Sequence, residues 1–287
     1  MKLNPGYKTC IGCAEPIIVS QVLDSIENPI IVSLATGCLE VASTKPSDKI
    51  WPVPVIHSTF GNSAATISGV ESAIKVLQKK GQLKKDVKLL VIAGDGGTLD
   101  IGLQALSGAL ERNHDFVFLC MDNGAYMNTG GQRSSASPYK VKTSTTPSGK
   151  ITFRKDIIEI VKAHNIPYIA QASLADLDDL KRKAKKAFES KGPAFINVMS
   201  PCIRFWKFDM IHLRKVSDLS LNTCFWPLYE IENGIYNITR KPDKKIPIKD
   251  FLEIQKRFSD LTSEDILEIQ KYVDKKWDYL VSMSDNN

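Results

Sequence analysis

The chain has 287 residues, 43% of them apolar, and 38 basic against 32 acidic side chains, a net charge of +6. That is enough apolar material for a sizeable core, and it excludes intrinsic disorder as the default state. The positive charge is scattered over Lys79-Lys80, Lys84-Lys85, Lys181 to Lys186 and Lys241 to Lys245 without interleaved aromatics, so it argues against a nucleic-acid track and suits an acidic protein partner.

The first ten residues contain no apolar signal-type region, and no run reaches the roughly 18 apolar residues of a membrane span. A cytoplasmic chain without membrane contact is expected. Its six cysteines read as reduced thiols rather than a disulfide framework.

In chain order, helical periodicity predicts helices over 16–25, 63–79, 99–110, 153–163 and 177–190, and short β-rich runs predict strands over 30–34, 87–92, 116–121, 168–170 and 194–199. The strands are continuously apolar, as in a parallel sheet buried on both faces. Residues 36–61 and 122–151 form long connections of the kind that carry binding function. Past residue 200, Asn233-Gly234 predicts a hairpin, followed by a helix over 248–258 and a last helix from Ser263. Residues 282–287 read as disordered. The expected fold is α/β, a mostly parallel sheet with helices on both faces over 1–225, with a C-terminal hairpin and helical extension over 226–287.

The apolar run ending at Ala93 leads into Gly94-Asp95-Gly96-Gly97 and then a helix. Glycines admit close backbone approach, and a helix start offers free N–H groups to phosphate oxygens. Asp95 would repel a diphosphate directly, so a hard divalent cation such as Mg²⁺ is expected between them. The next strand ends at Asp122-Asn123-Gly124-Ala125, which offers the Asn123 side-chain oxygen and the Ala125 carbonyl as further ligands. A dinucleotide fingerprint fails here, because it has no acidic residue inside the phosphate loop.

Cys10 and Cys13 form a tight pair, Cys38 follows Gly37 just past the first strand, and Cys202 lies just past the strand over 194–199. Four thiols from three loops could close a site for zinc or for an iron–sulfur cluster, and spacing leaves both open. Cys120 and Cys224 sit among apolar neighbours and read as core.

Together these motifs resemble the beta subunits of the 2-oxoacid:ferredoxin oxidoreductase family, most closely the pyruvate-using type. The likeness runs through Cys-Ile-Gly-Cys-Ala-Glu at 10–15, Ala-Thr-Gly-Cys-Leu-Glu at 35–40, Ile-His-Ser-Thr-Phe-Gly-Asn at 56–62, Gly-Asp-Gly-Gly at 94–97, Asn-Thr-Gly-Gly-Gln-Arg-Ser-Ser-Ala at 128–136, Ser-Pro-Cys at 200–202 and Trp-Pro-Leu-Tyr-Glu at 226–230. The resemblance implies oxidative decarboxylation of pyruvate to acetyl-CoA and CO₂, with ferredoxin accepting the electrons. It implies thiamine diphosphate held through Mg²⁺ by Asp95, Asn123 and Ala125, with Gly37, His57, Gly94, Gly96, Gly97, Asn128 and Thr129 around the cofactor. It implies a [4Fe–4S] cluster on Cys10, Cys13, Cys38 and Cys202. The activating glutamate is expected on an alpha-type partner subunit that binds the aminopyrimidine, so no catalytic residue is assigned here, neither Glu15 nor Glu40; gamma- and delta-type subunits are further possible partners. Ile203-Arg204-Phe205-Trp206 departs from the family's usual run after the last cysteine, and Gly61 replaces the usual glutamate. Branched-chain 2-oxoacids, 2-oxoglutarate or oxalate remain alternative substrates, and a zinc-bound scaffold subunit is the alternative from another class.

Overall fold

The computed structural model describes residues 2–45, 49–242 and 244–285. Its strands are β1 Ile30–Ala35, β2 Val55–Ser58, β3 Lys88–Gly94, β4 Val117–Asp122, β5 Tyr168–Ser173, β6 Ala194–Met199, β7 Leu228–Glu232 and β8 Ile235–Arg240. They form one eight-stranded sheet in the order β2-β1-β3-β4-β6-β5-β7-β8. The run from β2 through β5 is parallel, whereas β7 joins β5 antiparallel and β8 joins β7 antiparallel.

Side chains alternate across a strand, and both faces here are apolar. Leu90, Ile92, Val117, Leu119, Ile196 and Val198 enter one core with α1 (Glu15–Leu23) and α6 (Leu177–Glu189). Leu89, Val91, Phe118, Cys120 and Phe195 enter the opposite core, which contains residues of α3 (Ser63–Lys79), α4 (Leu103–Glu111) and α5 (Ile157–Lys162). Burial on both faces is the reason these strands read as apolar runs rather than as an alternation. The α/β expectation holds.

Four differences from the sequence reading have local causes. The helix expected over 99–110 is a π-helical turn at Gly96–Asp100 followed by α4. The helix expected from 153 starts at Ile157, where the Asp156 side chain caps it by accepting from the Glu159 N–H at 3.3 Å. Residues 36–61 contain α2 (Cys38–Ser43) and β2, elements too short to show a period. Residues 282–285, expected to be disordered, complete a helix over Ser263–Asp285, in which Leu280 is buried; Asn286 and Asn287 lie outside the described residues.

Beyond Cys202 come α7 (Ile203–Trp206), α8 (Leu213–Asn222), α9 (Ile248–Glu253) and α10 (Ser263–Asp285), which share a third core with Phe205, Trp206, Trp226 and Phe251. At the antiparallel edge, Glu230 of β7 accepts from Tyr168 at 2.7 Å, Lys186 at 2.9 Å and Arg182 at 3.1 Å. Burial alone would raise its carboxyl, but the Lys186 and Tyr168 hydrogen bonds and the Arg182 charge outweigh it and hold it at about 2. We expect Glu230→Gln to cost about 2–3 kcal/mol in denaturant unfolding, since the buried acceptor of these hydrogen bonds loses the charge that strengthens them. A depressed carboxyl stabilises above its unfolded pKa and loses that contribution as pH falls through the folded one. The wild-type advantage should therefore fade between about pH 4 and pH 2; an equal midpoint for both proteins at neutral pH would refute this role.

Candidate active site

β1 connects leftward to β2, while β3 lies on the other side of β1, so the strand order reverses between β1 and β3. Ligands of open α/β sheets bind at the carboxyl ends of the strands flanking such a reversal. A cavity of about 280 Å³ lies there, bordered by the ends of β1, β3 and β4. Gly37, Cys38, Gly94, Asp95, Gly96, Gly97, Asn123, Ala125, Asn128 and Thr129 all line it. His57 does not. It is half exposed on β2, its Nε2 lies 2.8 Å from Thr36 Oγ1 and its Nδ1 3.5 Å from Glu40 Oε1, so it contacts two lining residues rather than the cavity.

Asp95 is 1% exposed. Its Oδ1 accepts the Asn123 N–H at 3.3 Å, and its Oδ2 accepts the Ser134 hydroxyl. Burial, and then the neighbouring Asp122 charge, push its carboxyl up to about 8, although the hydrogen bonds and Arg154 oppose them. A buried carboxylate this poorly compensated has room for a cation's charge beside it. Asn123 Oδ1 accepts the Ala125 N–H at 3.0 Å, and the Trp206 indole donates to the Asn123 carbonyl at 2.8 Å. The loop is thus oriented from two sides. Trp206 closes the α7 turn that follows Cys202, so that turn bears directly on this loop.

Gly96 owes its identity to protein packing. An added Cβ would lie 2.2 Å from Tyr126 Cε1. The Tyr126 ring occupies that space, 5.6 Å from the Phe60 ring, and its hydroxyl donates to Asp100 at 2.8 Å. Asp100 also accepts from the Ser135 N–H at 3.0 Å, which ties the 122–151 connection to the turn after β3. Lys150 closes that connection by donating to the Ser135 and Ser137 carbonyls at 2.9 and 2.7 Å. We expect Gly96→Ala to destabilise by about 1–3 kcal/mol, and Gly96→Ala with Tyr126→Ala to cost less than the sum of the two single changes. Strict additivity in thermal unfolding would show that the ring does not need the space.

A second cavity, of about 470 Å³, is bordered by Cys10, Cys13, Cys38 and Cys202. Burial, then the Glu15 charge, raises the Cys13 thiol well above its usual range and the Cys38 thiol to about 12; burial likewise raises Cys202. Such thiols stay protonated until a metal displaces the proton. Among the described residues, no three His, Cys, Asp or Glu side chains converge tightly enough to hold a single metal ion. Cys120 and Cys224 are buried in the cores and border neither cavity.

Glu15 borders both cavities, is 6% exposed, and its Oε2 has no hydrogen-bond partner among the described residues. Burial raises its carboxyl to about 7. The sequence left its role open. Ser134, Asp100 and Tyr126 were missed as supports, because residues that brace a loop carry no spacing signal.

No helix among the described residues is long and apolar enough to cross a membrane. Over residues 35–198 the chain matches the thiamine pyrophosphate enzyme family, C-terminal TPP binding domain. It is 47% identical to the pyruvate synthase subunit PorB of Methanocaldococcus jannaschii, over 95% of this chain and 94% of that one. It is 39% identical to the ketoisovalerate oxidoreductase subunit VorB of Pyrococcus furiosus, over 98% and 92%. Among solved structures, a 2-oxoglutarate:ferredoxin oxidoreductase from Magnetococcus marinus shares the fold with a TM-score of 0.62 at 23% identity, covering 71% of this chain and 69% of that chain. The chain therefore belongs to the thiamine pyrophosphate-dependent 2-oxoacid:ferredoxin oxidoreductases, as the beta-type subunit of a multi-subunit enzyme.

Proposed function

We propose that this chain, joined to an alpha-type subunit, carries out the reversible oxidative decarboxylation of pyruvate to acetyl-CoA and CO₂, with ferredoxin as electron acceptor. The observation that carries the reading is the cavity at the β1/β3 reversal, floored by Gly94-Asp95-Gly96-Gly97 and walled by Asn123 and Ala125. These residues suit the diphosphate end of thiamine diphosphate: Asp95, the Asn123 side-chain oxygen and the Ala125 carbonyl would hold Mg²⁺, a hard ion that takes oxygen ligands. The cofactor, when bound, supplies the electron sink that lets the carboxylate leave. The chain's own part is to fix the diphosphate at the strand ends and to exclude water with Phe60, Tyr126 and Met127.

The four thiols suit a [4Fe–4S] cluster better than zinc. A four-cysteine zinc site usually brings its thiols as two tight pairs, whereas this set is one pair, Cys10 and Cys13, with two distant thiols, Cys38 and Cys202, around a wide cavity. Cys38 and Glu15 border both cavities, so the residues that would hold the cofactor and those that would hold the cluster adjoin each other. A reducing cytoplasm suits such thiols. The substrate follows the higher identity to the pyruvate synthase subunit than to the ketoisovalerate one.

The test is anaerobic, CoA-dependent reduction of ferredoxin by the copurified complex, offered pyruvate, ketoisovalerate and 2-oxoglutarate in turn. Pyruvate should give the highest kcat/KM. Preference for another acid would overturn the substrate, and zinc in place of iron would favour a scaffold role.

A further inference from the structure

One partly buried cation takes no part in the chemistry above. Arg257 lies in a 3-10 turn at Lys256–Phe258, outside the residues matched to the family. Its guanidinium carbon is 3.9 Å from the Trp206 ring centre, 4.8 Å from Phe258 and 5.5 Å from Phe205. Its Nε donates to Gln255 Oε1 at 2.9 Å. Part of the side chain is exposed, but Nη1 is buried and has no hydrogen-bond partner among the described residues. Besides burial, the charges that reach it are those of Cys202, Arg154 and Asp122, and Asp122 is already paired with Arg154.

Burying a cation without a counter-ion is costly, and aromatic faces recover only part of that cost. Negative charge nearby would offset the rest. Phe205 and Trp206 donate their backbone N–H groups to the Cys202 carbonyl at 3.2 and 2.8 Å, so two of the three rings that cage Arg257 belong to the turn that carries this thiol. A cluster on four thiolates is negatively charged, and one added electron makes it more so.

We propose that Arg257 is a positioning residue that raises the reduction potential of a cluster held by Cys10, Cys13, Cys38 and Cys202, by placing an unpaired positive charge behind Cys202. The inference rests on the cluster reading above. It gives the C-terminal extension and the Ile203–Trp206 run one joint role, in which the run supplies Phe205 and Trp206 of the aromatic cage and the extension supplies Phe258 and the charge. The competing account is structural. A space of about 10 Å³ bordered by Asp122, Trp206 and Arg257 has room for about one water, through which Arg257 could serve Asp122 alone.

The experiment uses the full chain, reconstituted anaerobically with iron and sulfide, as wild type, Arg257→Met and Arg257→Lys, with iron content measured beside an EPR-monitored redox titration. At wild-type iron content, Arg257→Met should be about tenfold harder to reduce, a fall of about 59 mV for a one-electron couple, and Arg257→Lys should recover most of it. Arg257→Gln, which is also neutral, replaces Arg257→Met if the latter does not fold. An unchanged potential in a neutral variant that holds its iron would overturn the proposal and leave Arg257 as a clamp. Failure of the wild type to take up iron would instead bring down the cluster reading, and this inference with it.

Discussion

Asp95→Ala should abolish Mg²⁺-dependent binding of thiamine diphosphate to the assembled complex. We expect a loss of roughly 100-fold or more in affinity, about 2.7 kcal/mol, in a cofactor titration at fixed Mg²⁺. The reason is charge balance. On the proposed reading Asp95 is the carboxylate of the oxygen set around the cavity it lines, and without it the diphosphate and the ion would lose the group that joins them to the protein. A second, opposite effect should accompany the first. Because burial raises this carboxyl to about 8, the empty protein bears a cost that grows as pH rises from about 4, where the unfolded carboxyl ionises, to about 8, where the folded one does. Asp95→Asn, which keeps the shape and removes the charge, should therefore unfold at a higher temperature than wild type near pH 8 without cofactor, and lose that advantage when Mg²⁺ and thiamine diphosphate are added. Unchanged cofactor affinity in both variants would remove Asp95 from the ligand set.

Cys202→Ser should lower iron content and cut the rate of ferredoxin reduction by roughly tenfold or more, because a serine oxygen is a poor substitute for a thiolate at iron. Cofactor affinity should stay within about threefold of wild type, since Cys202 borders the thiol cavity and not the diphosphate cavity. Cys120→Ser is the control. Its side chain is fully buried in the core under β4, so it should cost stability and leave iron unchanged. Equal iron and equal rates in Cys202→Ser and wild type would sink the assignment.

The parts of the fold that were legible in the sequence share a physical cause. Strands β1, β3, β4, β5 and β6 are buried on both faces, so each displays its burial as a largely apolar run, interrupted only by Ser33, Gln171 and Asn197. Asn233 has a φ of 51° and Gly234 one of 85°, the left-handed pair that a two-residue hairpin needs. The strand-end residues were legible because glycines, an acid and an amide at consecutive strand ends carry chemistry in their types. Other features depend on contacts that no period encodes. The glycine at 96 suggested close approach by a ligand, yet the neighbour that fills its space is Tyr126, 30 residues along the chain. His57 looked like a cofactor contact from its motif, but β2 lies at the sheet's edge and holds it outside the cavity. Trp206 and Arg257 act through tertiary contacts across residues that share no pattern.

The position of β6 has a consequence for the order of assembly. It follows both β4 and β5 in the chain but lies between them in the sheet, pairing Val117 with Ala194 and Tyr168 with the same residue. During synthesis, β4 and β5 must wait with open edges until it arrives. Cys202 comes three residues after this strand ends at Met199, so the fourth thiol reaches its cavity only when the interior of the sheet closes. A nascent or truncated chain that stops before Cys202 offers only three of the four thiols, so on the proposed reading a cluster cannot be completed before β6 has entered the sheet.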